Sequence, residues 1–187
     1  MAQTQMSANL KLINAVFAAM LVGMVGYFIY WGLGYTHYNH SILFIIATMF
    51  GVFMAFNVGG NDIANSFGTS VGSGTLTIPQ ALLIAAVFEV SGAVIAGGEV
   101  TDTIRKGIVD LNGIDLQPMQ FVFIMMSALL AAALWLLFAS RKGLPVSTTH
   151  AIIGGIVGSA VCMAVMNNMN AGDLIQWGKL GEIALSW

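Results

Sequence analysis

Five long apolar stretches, separated by short polar segments, constrain this chain more than any other feature of its sequence. They lie at residues 12–35, 41–74, 79–98, 119–140 and 146–166. A helix needs about 20 apolar residues to cross the ~30 Å hydrocarbon core of a bilayer, and each stretch reaches or nearly reaches that length. The sequence therefore predicts an all-α fold, a polytopic bundle of transmembrane helices.

The composition supports the same class and excludes others. Of the 187 residues, 58% are hydrophobic and only 7% are charged, whereas a soluble domain has roughly a quarter charged residues. A net charge of -2 gives no basic surface for nucleic acid. The first apolar run is longer than the core of a signal peptide, and no cleavage pattern follows it. We therefore expect residues 1–40 to form an uncleaved N-terminal transmembrane helix.

The second apolar stretch contains the most informative motif, Gly59-Gly60-Asn61-Asp62-Ile63-Ala64-Asn65-Ser66. The stretch is too long for one simple span, and its paired glycines favour unwinding, so we predict a broken helix at residues 57–66. An aspartate at bilayer depth costs at least a few kcal/mol, so Asp62 should face protein, water or an ion. In a helix, Asp62, Asn65 and Ser66 share one face. Asn61, Asp62 and Asn65 then provide ligands of the kind found at helix breaks in transporters; the alternative is a helix cap.

The fifth stretch opens with a second polar motif, and we predict a helix start at residues 145–150. Pro145 disfavours helix before it, and Ser147 is a natural N-cap. The hydroxyls of Ser147, Thr148 and Thr149 would stand at a helix N-terminus, whose free N–H groups attract anions. The alternative is an ordinary hydroxyl-rich cap at the membrane surface. His150 either carries a proton or is a hydrogen-bonded structural histidine.

Glu89, in the middle of the third stretch, needs a partner at bilayer depth. A metal ion, a proton or a neighbouring helix would each meet that need. An anion site near Asp62 and Glu89 is unfavourable unless a cation or a proton lies between them. In that arrangement each ligand raises the affinity of the other by the same factor, which is the physical basis of symport.

Three further features concern the organisation of the chain. Residues 77–80 have a helix-start pattern, with Thr77 as cap and Gln80 completing a capping box. Residues 100–118 contain charges of both signs and are expected to form an exposed connector. If the five spans alternate in direction, the positive charges divide equally between the two sides, so they do not orient the chain.

The two motifs together resemble a known family. Residues 59–70 are similar to the Gly-x-Asn-Asp-x-Ala-Asn signature of the inorganic phosphate transporter family, the sodium- or proton-coupled phosphate symporters. Residues 145–154, which begin Pro-Val-Ser-Thr-Thr-His, resemble the second element of that family. Residues 88–92 and 103–108 also look like family sequence. The resemblance covers about residues 50–158, in the expected order.

The resemblance implies symport of inorganic phosphate with Na⁺ or H⁺ across a lipid bilayer, without any other cofactor. Phosphate would be bound by residues of both motifs, namely Asn61, Asp62, Asn65, Ser147, Thr148 and Thr149. Cation coupling would involve Asp62, Asn65 and Glu89, with Na⁺ at Asp62 as the only metal site. The resemblance also implies a bacterial inner (plasma) membrane protein with a cytoplasmic N-terminus, because the loop with Arg105 and Lys106 lies outside in the family.

The chain departs from the family pattern because it has the Asn-Asp motif once, where the family has it in each of two inverted repeats. We therefore expect one half of an inverted-repeat transporter. Residues 41–170 would be the first repeat and residues 171–187 the truncated start of a following segment. The second repeat would lie in the same polypeptide beyond residue 187 or in a paired half.

Other functions remain open at this point. A transporter or channel for another oxyanion, such as sulfate, would have the same architecture. A non-transporting membrane subunit would leave Asp62 and Glu89 without a purpose. Ser147 and His150 are three residues apart and could be suggested as the nucleophile and base of an intramembrane hydrolase. No activating pattern supports that suggestion, so we do not expect an enzyme.

Overall fold

The structure is a computed structural model that describes residues 2–109 and 117–185. These residues form seven α-helices, and no strand is found among them. The helices are α1 (Ala2–Tyr35), α2 (Ser41–Gly72), α3 (Ile78–Gly107), α4 (Pro118–Lys142), α5 (Thr148–Met166), α6 (Ala171–Leu174) and α7 (Trp177–Leu185). The first five are long and apolar enough to cross a membrane. The predicted all-α, polytopic class is confirmed.

The chain divides into two compact units at residue 52, inside α2. In the first unit, α1 and the beginning of α2 are held together by aromatic side chains. The rings of Phe28 and Phe44 stack with centroids 5.9 Å apart. Gly32 lies directly against the Phe44 ring, where an added Cβ would overlap it. A small residue at this position therefore allows the two helices to approach closely.

The core of the second unit forms mainly between α4 and α5, which meet through small residues. Ala128, Ala132 and Ala133 of α4 and Ala160 of α5 are at most 2% exposed. At Gly155, an added Cβ would lie 2.8 Å from the carbonyl oxygen of Ala128. Such close contact between helix backbones is typical of membrane proteins, where association depends on van der Waals packing rather than on the hydrophobic effect.

The structure corrects the predicted break at residues 57–66, because α2 is one continuous helix through Gly59 and Gly60. Each glycine lowers helix stability by about 1 kcal/mol relative to alanine. Unwinding in apolar surroundings would cost more, because every freed backbone group would need a new hydrogen-bond partner. The 32 residues of α2 therefore stay helical, and the motif lies within a continuous helix.

The predicted connector at residues 100–118 is also corrected. The helix α3 continues through residues 100–107, and α4 begins at Pro118; residues 110–116 lie outside the described part. The predicted start of α3 is confirmed, since Gln80 Oε1 accepts hydrogen bonds from the backbone N–H and the hydroxyl of Thr77, both at 2.9 Å. The predicted start at residues 145–150 is confirmed as well, with α5 beginning at Thr148.

Candidate functional site

The Asn-Asp motif lies on α2, and the side chains of Asn61, Asp62 and Asn65 contact the end of α4, the segment that follows it and the start of α5. Asp62, Asn65 and Ser66 stand at positions i, i+3 and i+4 of a continuous helix, so they share a face as predicted. Asn61 is 4% exposed, and Asp62 is partly buried. The shared face does not require the break that the sequence suggested.

Three hydrogen bonds connect the asparagines of this motif to each other, to the end of α4 and to the segment before α5. Asn65 Nδ2 donates to Asn61 Oδ1 at 3.0 Å and to the carbonyl oxygen of Val146 at 3.1 Å. Asn61 Nδ2 donates to Ser140 Oγ at 3.3 Å. The bonds to Val146 and Ser140 span about 80 residues of sequence, so the α4–α5 segment is attached to the motif by amide groups.

The two predicted motifs meet directly at Asp62 and Thr148. Thr148 Oγ1 donates a hydrogen bond to Asp62 Oδ2 over 3.2 Å. Thr148 is the first residue of α5, and its hydroxyl provides a donor to a carboxylate that would otherwise be costly at this depth. A residue predicted for cation binding and one predicted for phosphate binding are thus neighbours.

The N-terminus of α5 has the open donors that an anion needs. Ser147 is the N-cap, and its Oγ accepts from the backbone N–H of His150 at 3.3 Å. The backbone N–H of Ala151 donates to the carbonyl oxygen of Ser147. Among the described residues, the backbone N–H groups of Thr148 and Thr149 make no hydrogen bond, as expected for the first turn of a helix. These donors and the partial positive charge of the helix end favour an anion.

Glu89 lies apart from this hydrogen-bond network. It lines an open cavity between α2 and α3 together with Ser66 and Phe67 of α2. Glu89 and Asp62 are acidic side chains of two different membrane-spanning helices, α3 and α2. No hydrogen bond joins Glu89 to the motif within the described residues. The structure therefore relates Glu89 to the site through the cavity that it lines with Ser66, not through a hydrogen bond.

Of the remaining candidates, Thr149 and His150 stand in the first turn of α5. Both side chains are exposed. Their predicted roles, in phosphate binding for Thr149 and as a proton carrier or structural histidine for His150, stay predictions. No group of three or more His, Cys, Asp and Glu side chains able to hold a metal ion is present in the part of the chain that the structure describes.

Sequence reasoning missed Ser140 and the carbonyl group of Val146. Ser140 lies in the last turn of α4, just before Arg141 and Lys142, where it looks like an ordinary interfacial serine. No sequence pattern pairs it with Asn61. The signal available was only the need of a buried amide for partners, which does not say where they come from.

Comparison with known proteins gives a consistent picture. Residues 58–187 match the family model described as the phosphate transporter family. Relatives from Mycobacterium bovis and Mycobacterium tuberculosis are each 57% identical over 174 residues, which is 91% of this chain and 32% of theirs. A relative from Haemophilus influenzae is 46% identical over 154 residues, or 79% of this chain and 34% of its own. All three bear the name "Putative phosphate permease".

A solved structure described as "The sodium-dependent phosphate transporter" is also similar. It is 41% identical, with a TM-score of 0.70, and the match covers 78% of this chain and 34% of the other. The chain thus spans about a third of the length of the proteins it matches. It is an integral membrane chain by its five apolar helices.

Proposed function

Since the chain belongs to the phosphate transporter family, we propose that it forms the phosphate and cation site of a carrier for inorganic phosphate. Transport would be secondary and active, by symport with Na⁺ or H⁺. The observation that supports this proposal most is the hydrogen bond from Thr148 to Asp62. It joins an anion-binding helix end to a carboxylate that a cation can neutralise.

The anion part of the proposed site is the beginning of α5. The backbone N–H groups of Thr148 and Thr149, which make no hydrogen bond among the described residues, and the hydroxyls of Ser147 and Thr149 provide donors for phosphate oxygens. The single hydroxyl hydrogen of Thr148 is donated to Asp62, so it would turn to phosphate only when a cation takes its place at that carboxylate. None of these donors has a full positive charge, so they bind the anion without holding it as strongly as an arginine would. Such moderate binding suits a carrier, which must also release its substrate.

The cation part comprises Asp62, Asn65 and Glu89. Two carboxylates that repel each other in an apolar helical protein attract a cation or a proton. When phosphate arrives at α5, its negative charge adds to that repulsion. Binding of the cation therefore raises the affinity for phosphate, and binding of phosphate raises the affinity for the cation by the same factor.

The membrane and its sidedness belong to the same proposal. We place the carrier in a bacterial plasma membrane with the N-terminus in the cytoplasm, and we take residues 41–170 to be one repeat of it. Because the chain spans about a third of its relatives, these activities are those of the full-length protein.

Uptake of phosphate into proteoliposomes tests the proposal. The full-length protein should accumulate labelled phosphate when a Na⁺ gradient or a proton gradient is imposed, and should not do so when both gradients are absent. Excess unlabelled phosphate should block the accumulation of labelled phosphate, whereas sulfate at the same concentration should not. Uptake of sulfate in place of phosphate, or phosphate uptake that needs neither Na⁺ nor a proton gradient, would contradict the proposed function.

A further inference from the structure

We propose that Ser140 is a positioning residue, which fixes the Asn61–Asn65 amide pair so that Asn65 presents its carbonyl oxygen Oδ1 to a sodium ion. This inference rests on the proposed function, because it concerns the cation of the same site. Ser140 belongs to no recognisable motif. It lies at the end of α4, whereas the proposed cation ligands lie on α2 and α3.

The first step concerns Asn65, whose amide nitrogen has two hydrogens to donate. One goes to Asn61 Oδ1 and the other to the carbonyl oxygen of Val146. A backbone carbonyl can only accept, so the nitrogen of Asn65, and not its oxygen, must face Val146. No N–H of this side chain is then left for a phosphate oxygen, and Oδ1 remains as its only open polar atom among the described contacts.

The second step concerns Asn61, which transmits the orientation. Asn61 is buried, with 4% of its surface exposed, so each polar atom that lacks a partner is costly. Asn61 Oδ1 accepts the hydrogen bond from Asn65. The nitrogen of the same amide, Asn61 Nδ2, therefore faces the hydroxyl of Ser140 and donates to it. Without that hydroxyl, Asn61 Nδ2 loses this partner, so the bond from Asn65 alone would hold the Asn61 amide and the orientation of the pair would be less fixed.

The third step is the chemistry of the atom that Asn65 presents. An amide carbonyl oxygen is a hard ligand that suits Na⁺, as a carboxylate does. Asp62 lies three residues earlier on the same helix face and supplies the negative charge. Asn65 is thereby assigned to the cation and not to phosphate, which narrows the two roles that the sequence left to it. An amide oxygen does not take up a proton at ordinary pH, so the coupling ion in this inference is Na⁺.

Sodium titration of phosphate uptake tests the role of Ser140. In proteoliposomes with the full-length protein, Ser140→Ala should raise the Na⁺ concentration for half-maximal uptake by about tenfold, the usual effect of losing a group that orients a metal ligand. The KM for phosphate at saturating Na⁺ should stay unchanged. Ser140→Thr keeps the hydroxyl and should restore the Na⁺ response. Ser73→Ala removes a serine whose hydroxyl bonds locally, to Ser70 and Thr75, and serves as the matched control.

A measurement without transport separates this inference from the proposed function. Thermal unfolding in detergent, in NaCl against choline chloride, should show stabilisation by Na⁺ that needs about tenfold more salt in Ser140→Ala. Equal Na⁺ responses in the original protein and Ser140→Ala would overturn the role of Ser140. Uptake driven by protons and indifferent to Na⁺ would overturn it too, although the proposed function would stand. Stabilisation by Na⁺ without any phosphate uptake would instead contradict the proposed function alone.

Discussion

Asp62 and Thr148 are the residues on which the proposed function depends most. The carboxylate of Asp62 and the hydroxyl of Thr148, 86 positions apart in sequence, are joined by a hydrogen bond, which would bring the proposed cation and anion parts of the site into contact. The proposal gives each residue a separate chemical task, so substitutions at the two positions should give different results.

At Asp62, the change to asparagine removes the charge but keeps the size and a hydrogen-bond acceptor. We expect Asp62→Asn to abolish the stimulation of phosphate uptake by the coupling cation, a factor of about 5–150 in typical coupled systems. Uptake at a series of Na⁺ concentrations and pH values measures this. Asp173→Asn, at an exposed aspartate of α6, is the matched control. Normal cation stimulation in Asp62→Asn would remove Asp62 from the site.

At Thr148, the hydroxyl can be removed with little change of shape. In the structure the Thr148 hydroxyl donates to Asp62, and we expect it to turn to phosphate when a cation occupies that carboxylate. Thr148→Val should then weaken phosphate binding by about 10- to 150-fold, since a hydrogen bond to a charged group contributes roughly 1.5–3 kcal/mol. Thr148→Ser retains the donor and should bind phosphate nearly as the original protein does. The KM for phosphate at saturating cation distinguishes them. If valine and serine behave alike, the hydroxyl of Thr148 is not a phosphate ligand.

At the scale of elements, the sequence predicts helices better than it predicts their interruptions. The five spans, the cap of α3 at Thr77 and the start of α5 follow from local patterns, and the structure confirms them. The break at residues 57–66 was argued from Gly59 and Gly60, whose preference for unwinding is real but small. The cost of freed backbone groups exceeds it, and a local pattern contains no measure of that cost.

The continuous course of α2 leads to a test at its glycines. An added Cβ at Gly59 or at Gly60 would meet nothing within 4 Å. Gly59→Ala and Gly60→Ala should therefore leave phosphate uptake intact and stabilise the helix by up to about 1 kcal/mol each. Loss of uptake in a normally folded variant would mean that this stretch must unwind or approach another backbone during transport.

The contact between α4 and α5 can be tested with two neighbouring glycines. An alanine at Gly155 would place its Cβ 2.8 Å from the backbone of Ala128, whereas at Gly154 it would meet nothing within 4 Å. We expect Gly155→Ala to destabilise the protein by about 1–3 kcal/mol and Gly154→Ala to be neutral or stabilising. Thermal unfolding in detergent gives both values. Equal stabilities would contradict the close packing of the two helices.

At the scale of the molecule, sequence and structure contribute different parts of the account. The residue types at the site could be predicted, because a carboxylate, amides and hydroxyls are conspicuous in apolar sequence. Their partners could not. The approach of Asn65 to Val146 and of Asn61 to Ser140 depends on how α2 packs against the α4–α5 segment, and such tertiary contacts leave no periodic signal in one chain. Glu89 was predicted as a companion, and its place in the cavity with Ser66 gives that prediction a location.

The reciprocal effect of cation and phosphate on each other's binding tests the central claim most directly. We would measure phosphate binding to the full-length protein by calorimetry with and without the coupling cation, and cation binding with and without phosphate. The account predicts that each ligand raises the affinity of the other by the same factor, about 5–150, and that Asp62→Asn removes both effects. Phosphate binding that is indifferent to Na⁺ and to pH, or that keeps its full cation dependence in Asp62→Asn, would contradict it.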